Sequence, residues 1–112
     1  MNESLEREIN SLHAEICAGL ADPKRILLLY ELAEGPRIVS DLAARLGLSQ
    51  PTVSRHLKLL RERGMVEATR LGPSVEYRLN DYRLIQALDL LRAVLRDNLA
   101  QRAELAGVII AA

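Results

Sequence analysis

Apolar residues recur near the start of the chain with the spacing of an amphipathic helix. Four of them, at steps of four, three and four, are Leu5, Ile9, Leu12 and Ile16. This spacing places them on one face of a helix over 4–18, because positions three and four apart are neighbours on a helix surface. The pattern therefore predicts a first helix with a single apolar stripe and a polar remainder.

Caps and glycine stops divide the rest of the chain into short elements. Asp22, followed by proline, is typical of an N-cap, and Ser40 and Ser49 are further candidate caps. Gly47 and Gly64 end the two helices that these serines begin. After the first helix the predicted elements are helices over 23–34, 41–46 and 50–63, an extended piece at 37–39, strands over 65–71 and 75–79, and a helix over 81–106.

The middle of the chain combines two helices and a hairpin. Residues 47–49 form a tight glycine-containing turn between the helices, which is the helix-turn-helix pattern, and residues 72–74 turn between the strands. We therefore predict a mainly α protein with a small β-hairpin, a winged helix-turn-helix of order α-α-β-α-α-β-β-α. It forms one domain over 1–112, with the helix-turn-helix at 41–63 and the wing at 65–79.

The helix over 50–63 has one apolar face and one polar, basic face. The apolar stripe consists of Val53, Leu57 and Leu60. The opposite face and its flanks consist of Pro51, Thr52, Ser54, Arg55, Lys58 and Glu62. Small side chains let a backbone approach the major groove, and guanidinium and amide groups read base edges. A solvated amphipathic helix has the same pattern, but the adjoining turn and hairpin favour a DNA-reading helix.

The overall charge hides an uneven distribution. The formal net charge is zero, yet residues 1–16 contain four glutamates and one arginine, whereas residues 49–63 contain four basic residues and one glutamate. Local charge determines an electrostatic footprint on DNA. Aromatic residues make up 3% of the chain, with no Phe or Trp, which argues against a platform for stacking single-stranded bases.

Composition also limits the compartment and the chemistry. The single cysteine, Cys17, excludes an intrachain disulfide and fits a reducing compartment. The acidic N-terminus does not resemble a signal peptide, and the apolar runs are too short to span a bilayer, so we expect a cytoplasmic protein without a membrane partner. The sequence shows no phosphate loop, metal quartet or nucleophile–base pair, so we expect neither an enzyme nor a cofactor.

Three stretches together resemble one family of regulators. They are LADPKRIL at 20–27, DLAARLGLSQPTVSRHLKLLRERGMV at 41–66 and VEYRL at 75–79. They are similar to the arsenic-repressor family of winged-helix regulators, also called ArsR/SmtB, and the resemblance extends over about 14–95. It implies a homodimer that binds double-stranded operator DNA at an inverted repeat and blocks a promoter until a small inducer arrives.

The resemblance places base-reading positions on Gln50, Pro51, Ser54 and Arg55. Together with the helical wheel, it gives these candidate DNA contacts: Ser49, Gln50, Pro51, Thr52, Ser54, Arg55, His56, Lys58, Arg70 and Arg78. His56 lies near the apolar edge of the wheel, so we expect a core-edge residue or a secondary contact. Arg70 and Arg78 on the wing are expected either to touch phosphates or to be ordinary exposed charges of a hairpin.

The terminal helices carry more apolar surface than one small domain needs. The resemblance favours pairing of residues 1–20 and 81–106 across a two-fold axis. The candidate interface residues are Leu5, Ile9, Leu12, Leu84, Leu88, Leu91 and Leu95. Packing of both helices within the chain is the alternative.

The sensor is the least defined part of the sequence. The positions that carry cysteines or histidines in metal-sensing family members are here Ile38, Ser40, Arg83 and Val94, and the carboxylates Asp81 and Asp97 remain. We therefore expect no metal site of the usual kind. Cys17 and His13 share a helix face and form a candidate thiol or metal sensor. We favour the alternative that Cys17 is a small buried hydrophobe in the dimer region.

These observations leave three hypotheses. The first is a DNA-binding repressor with a small inducer. The second is a thiol- or metal-responsive sensor of the same fold acting through Cys17. The third is a winged-helix protein-interaction module without affinity for DNA, which the polar surface between Gln50 and Arg55 disfavours.

Overall fold

The computed structural model describes the backbone of residues 2–111 and the side chains of residues 2–107. The chain divides into two units, Met1–Tyr82 and Arg83–Ala112. The elements are α1 (Glu3–Leu12), α2 (Pro23–Ala33), β1 (Arg37–Ile38), α3 (Val39–Leu46), α4 (Gln50–Glu62), β2 (Val66–Leu71), β3 (Ser74–Leu79) and α5 (Arg83–Ala111). This order confirms the predicted succession of helices and strands.

The first helix is longer than its α-helical part. Asn2 caps α1, and its side-chain oxygen accepts a hydrogen bond from the backbone N–H of Ser4 at 2.8 Å. The chain then continues into a π-helical turn, His13–Cys17. We call the continuous helical segment from α1 through this turn to Gly19 the first helix. Apolar spacing predicted the helix but not the π-helical turn, because the spacing of a few apolar residues does not distinguish i→i+4 from i→i+5 hydrogen bonding.

Two of the three predicted N-caps are confirmed, and one is wrong. The Asp22 side chain accepts from the backbone N–H of Lys24 at 2.8 Å, and Ser49 caps α4 in the same way. Ser40 does not cap α3, because α3 begins at Val39 and its N-cap residue is Ile38, which makes no side-chain capping bond. Since Ile38 is paired in β1, the chain passes directly from strand to helix before it reaches Ser40.

The wing belongs to a three-stranded antiparallel sheet of order β1-β3-β2. Leu71 pairs with Ser74, so two residues make the turn, and Gly72 has a φ of 61°. Glycine with positive φ at the first turn position is what a tight hairpin of this kind requires. The hairpin thus starts one residue later and turns more tightly than predicted, and β1 joins it as a third strand.

Leucine dominates the core of the first unit, as the lack of Phe and Trp requires. The fully buried side chains are Leu28, Leu29, Leu42, Val53, Leu57, Leu60, Met65 and Val66. Three of them, Val53, Leu57 and Leu60, form the predicted stripe of α4. Burial of such side chains contributes roughly 1.5–3 kcal/mol each, so this stripe fixes which face of α4 points outward.

Helix α5 forms the second unit. It begins at Arg83, two residues after the predicted start, and continues beyond residue 106. Ile85 and Leu88 are buried, whereas Leu91 and Leu95 are exposed. None of the helices, over the part of the chain that the structure describes, has the length and apolar character needed to cross a membrane.

Candidate nucleic-acid interface

The N-terminus of α4 is fixed by a local hydrogen-bond pair. The backbone N–H of Thr52 donates to Oγ of Ser49 at 3.3 Å, and the Ser49 hydroxyl donates to Oγ1 of Thr52 at 2.8 Å. The two hydroxyls predicted as DNA contacts therefore also hold each other in place. Pro51 has no N–H, and the N–H of Val53 donates to the carbonyl of Ser49 at 3.1 Å, so this turn is held by its own hydrogen bonds. The positive end of a helix dipole still favours an anionic partner such as phosphate.

The outward face of α4 carries the other predicted contacts. The exposed residues on and beside this face are Gln50, Pro51, Ser54, Arg55 and Lys58. Thr52 is half-buried on the flank. The structure therefore places the amide, hydroxyl and cationic groups on one side of the helix and the leucine stripe on the other. We call this outward face the reading face.

A cleft of about 240 Å³ lies beside the reading face. It is lined by Ile38, Val39, Ser40, Gln50, Ser54, Pro73, Ser74 and Val75. The N-terminal ends of α3 and α4 and the tip of the wing thus meet around one concave surface. Gln50 and Ser54 belong both to this cleft and to the reading face, which brings the wing tip next to the predicted base-reading positions.

His56 does not point toward the reading face. Its side chain is 7% exposed, and its Nδ1 lies 3.4 Å from Nη1 of Arg25. Burial among core groups leaves it no surface for a direct contact with DNA, so it is removed from the proposed contacts. The expectation that it is a core-edge residue agrees with this position.

The two wing arginines differ in how they are held. Arg70 is exposed at the outer half of the hairpin. Arg78 is half-buried and pairs across the strands, with Nη2 at 2.7 Å from Oε2 of Glu67 and Nη1 donating to Oγ1 of Thr69 at 2.5 Å. Arg70 is therefore the better candidate for a phosphate contact, and Arg78 first serves to join β2 to β3.

The predicted dimer residues are mostly exposed. Those on the first helix, Leu5, Ile9 and Leu12, have 43–49% of their surface exposed. On α5, Leu91 and Leu95 are more than half exposed, Leu84 is half-buried and Leu88 is buried. The exposed apolar positions of α5 continue through Leu90, Val94, Leu99 and Leu105. Leu88 therefore has little surface left for a partner, whereas the positions beyond it have much.

The candidate sensor residues lie at the two ends of the π-helical turn, which begins at His13 and ends at Cys17. Cys17 is exposed in the single chain, so the burial that we expected in the dimer region would have to come from a second subunit. Over residues 2–107 no group of three or more His, Cys, Asp or Glu side chains is placed to hold a metal ion.

Two arginines outside the predicted contacts bind backbone carbonyls in and just after this turn. Arg25 on α2 donates to the carbonyl of Gly19 at 2.8 Å, and Arg63 at the end of α4 donates to that of Ala14 at 2.5 Å. Sequence periodicity missed Arg63, because its partners lie 48 and 49 residues away along the chain. It missed Arg25 although its carbonyl partners are only six and seven residues away, because periodicity does not describe bonds from a side chain to a helix end. The excess of arginine around 55–63 was the available signal, and it was attributed to DNA alone.

Comparison with known proteins gives consistent matches. Residues 22–68 match the family described as "Bacterial regulatory protein, arsR family". The regulator NmtR of Mycobacterium tuberculosis is 41% identical over 68% of this chain and 63% of its own length. A biofilm growth-associated repressor of Xylella fastidiosa is 34% identical over 82% of this chain and 80% of its own length. The chain thus spans less than two thirds of NmtR and most of the second relative.

A solved structure gives the same fold. The homodimeric winged helix-turn-helix DNA-binding domain from Mycobacterium bovis superposes with a TM-score of 0.74 at 27% identity, over 88% of this chain and 91% of that one. The fold and the reading face define the class of this protein, a winged helix-turn-helix regulator. The chain belongs to the arsR family of bacterial regulatory proteins, which is a family of regulators and not of enzymes.

Proposed function

We propose that this protein is a homodimeric, sequence-specific DNA-binding repressor that acts in the cytoplasm and leaves its operator when a small inducer binds. The observation that carries the proposal is the reading face, in which a capped helix N-terminus, an exposed amide and two exposed cations lie opposite a fully buried leucine stripe. A surface of this composition suits the major groove, where amide and guanidinium groups form paired hydrogen bonds with base edges.

The positions along α4 assign separate roles to its side chains. Gln50 lies in the first turn and Arg55 in the second, so both reach the groove floor when the helix enters by its N-terminus. Lys58 lies on the same face but one turn further along, where a phosphate contact fits better. Gln50 and Arg55 therefore supply sequence preference, whereas Lys58 supplies affinity that does not depend on sequence.

The dimer gives the operator its symmetry. The exposed leucines of the first helix and of α5 form apolar surface that a second copy of the chain would bury. The related Mycobacterium bovis domain is described as homodimeric, which supports the same assembly here. Two reading faces related by a two-fold axis match major grooves about one turn, or ~34 Å, apart, so the operator is an imperfect inverted repeat.

Repression and its release are proposed from the relatives. One relative bears the name of a repressor, and a bound repressor needs a signal that lowers its affinity for DNA. A second candidate is a sensor that uses Cys17 itself, which the exposure of this thiol favours. Arg63 connects the π-helical turn of Cys17 to the end of α4, so a modified thiol has a physical route to the reading face.

Fluorescence anisotropy with fragments of the neighbouring promoter, at two salt concentrations, tests the proposal. We expect binding that weakens steeply as salt rises, because phosphate contacts release counterions. Arg61→Ala serves as the matched control for Arg55→Ala, since it removes the same charge from the last turn of the same helix. Absence of salt-dependent binding to any fragment contradicts the repressor and favours the protein-interaction module.

A further inference from the structure

A buried histidine lies where three helices of the first unit meet. His56 is on α4, 7% exposed, and its ring faces α2. Nδ1 lies 3.4 Å from Nη1 of Arg25, and Nε2 lies 4.0 Å from Oδ2 of Asp22. The DNA-reading helix therefore contacts the N-terminus of α2 through an ionisable ring that has no access to DNA.

Arg25 extends this contact to the end of the first helix. Its Nε donates to the carbonyl of Gly19 at 2.8 Å, and its Nη2 donates to that of Ala18 at 3.2 Å. Its Nη1 also lies 3.9 Å from Oδ2 of Asp22, and the side chain is only 14% exposed. One guanidinium thus holds two carbonyls of a helix end, the cap of α2 and the ring on α4.

We propose that Arg25 and His56 are positioning residues for α4. Together they hold α4 against the end of the first helix, and they do so only while the His56 ring is neutral. This inference rests on the proposed function, because its consequence is a change in DNA affinity. The first helix belongs to the proposed dimer surface, so the same contact relates the reading face of one subunit to the two-fold axis.

The donor chemistry explains why the ring must be neutral. A guanidinium has donors only, so Nδ1 of His56 accepts from Arg25, and the proton of the neutral ring is on Nε2 facing Asp22. Protonation of Nδ1 would direct an N–H at the guanidinium and place two cations 3.4 Å apart. The contact between α4 and α2 is then lost or displaced.

The groups around His56 lower its pKa, with the exception of Asp22. Burial is the main cause that lowers the pKa of His56 below its ordinary 6.5. Asp22 opposes this shift, whereas Arg25 and Lys24 on α2 and Arg55 on α4 add to it. The backbone N–H of Lys24 lowers the pKa of Asp22 below its ordinary 3.8, so this carboxylate is charged at neutral pH.

The sign of the effect follows from these directions. The unfolded chain binds a proton at His56 near pH 6.5, whereas the folded chain does so only at lower pH. The free energy of unfolding therefore falls as the pH drops from 6.5 through the lowered pKa, and is level on either side of this window as far as His56 is concerned. DNA binding needs the neutral ring, so affinity falls below the same lowered pKa.

The test is operator affinity measured by anisotropy from pH 8 to 5 at constant ionic strength, in four proteins. They are wild type, His56→Gln, Arg25→Lys and His13→Gln, the last of which removes the other histidine of the chain. We expect wild type and His13→Gln to lose affinity below the lowered pKa of His56, by up to roughly tenfold per pH unit. His56→Gln keeps an uncharged acceptor and should show no such loss. Arg25→Lys keeps the positive charge but lacks the several N–H donors of a guanidinium. This variant should bind the operator weakly already at pH 7.5.

A ring-proton NMR titration of the wild-type dimer supplies a readout that does not depend on any variant folding. We expect His56 to titrate below 6.5, because burial lowers its pKa. Identical pH profiles for wild type and His56→Gln, or a His56 pKa at or above 6.5, overturn the inference and leave the proposed function standing. No binding of wild type to DNA at any pH overturns both.

Discussion

Arg63 donates a hydrogen bond from Nη1 to the backbone carbonyl of Ala14 across 2.5 Å and pairs with the carboxylate of the adjacent Glu15 at 3.3 Å. Arg63 is the C-cap of α4, and Ala14 lies within the π-helical turn. The end of the reading helix is thus attached to the backbone of the first helix, in addition to the contact that Arg25 makes with the carbonyls of Ala18 and Gly19.

We predict that Arg63→Ala loosens the π-helical turn. Loss of the partly exposed guanidinium, with its hydrogen bond to Ala14 and its pair with Glu15, should lower the free energy of unfolding by about 1 kcal/mol. Hydrogen exchange at residues 13–19 should accelerate, while exchange in β2 and β3 stays unchanged. Arg61→Ala, two residues away, is the matched control, and equal acceleration in both variants contradicts a specific role for Arg63.

Arg55→Ala should reduce binding to the specific operator by about 1–3 kcal/mol and relax discrimination at one base pair in each half-site.

Lys58→Ala should weaken binding to all sequences about equally and lower the salt slope by about 1 for the lost phosphate contact. Competition titrations with mutated half-sites separate the two effects. If Lys58→Ala changes the sequence preference and Arg55→Ala does not, the assigned roles are reversed.

Wild type should be a dimer at micromolar concentration, and Leu91→Glu should dissociate it. Leu91 is 61% exposed on α5, and a partner that covers it would have to bury the introduced carboxylate. Sedimentation velocity measures the change, with circular dichroism to show that the helices persist. Leu71→Glu, which alters a similarly exposed leucine on β2, should leave the dimer intact. A wild type that sediments as a monomer removes the basis for the inverted-repeat operator.

Cys17→Ser should leave folding and DNA affinity nearly unchanged, because the thiol is exposed and serine is almost the same size. Under the first hypothesis the release of the operator by the inducer also stays intact. Anisotropy of the protein–DNA complex, with arsenite, divalent metal ions or persulfide added in turn, measures this. A response in wild type that Cys17→Ser lacks favours the thiol- or metal-responsive sensor instead.

Local rules accounted for most of the fold. Asp22 and Ser49 supply capping oxygens, and Gly47 and Gly64 have φ values of 64° and 73° where the helices before them end. Each of these signals acts within a few residues of its own position, so it can be recognised from the sequence. Ser40 was misleading because its role depended on β1, whose partner strand lies almost forty residues downstream.

In the candidate site, too, the sequence predicted the features that depend on local geometry and missed those that depend on packing between helices. The helical wheel of α4 separated the exposed Arg55 and Lys58 from the buried Leu57 correctly, since helical geometry alone determines it. The wheel placed His56 only near a boundary. Its contact with Arg25 spans 31 residues, and its burial results from packing between helices that no periodicity describes.

Cys17 is the single cysteine of the sequence, and its exposed thiol can be labelled selectively. A maleimide probe or nitroxide attached there needs no removal of other cysteines and modifies the protein at one defined place. In the proposed dimer each subunit carries one such label, at the turn that Arg63 connects to α4. Pulsed electron resonance between the two labels would therefore give a distance across the molecule with and without DNA, and the same preparation reports whether an added compound reacts with the thiol.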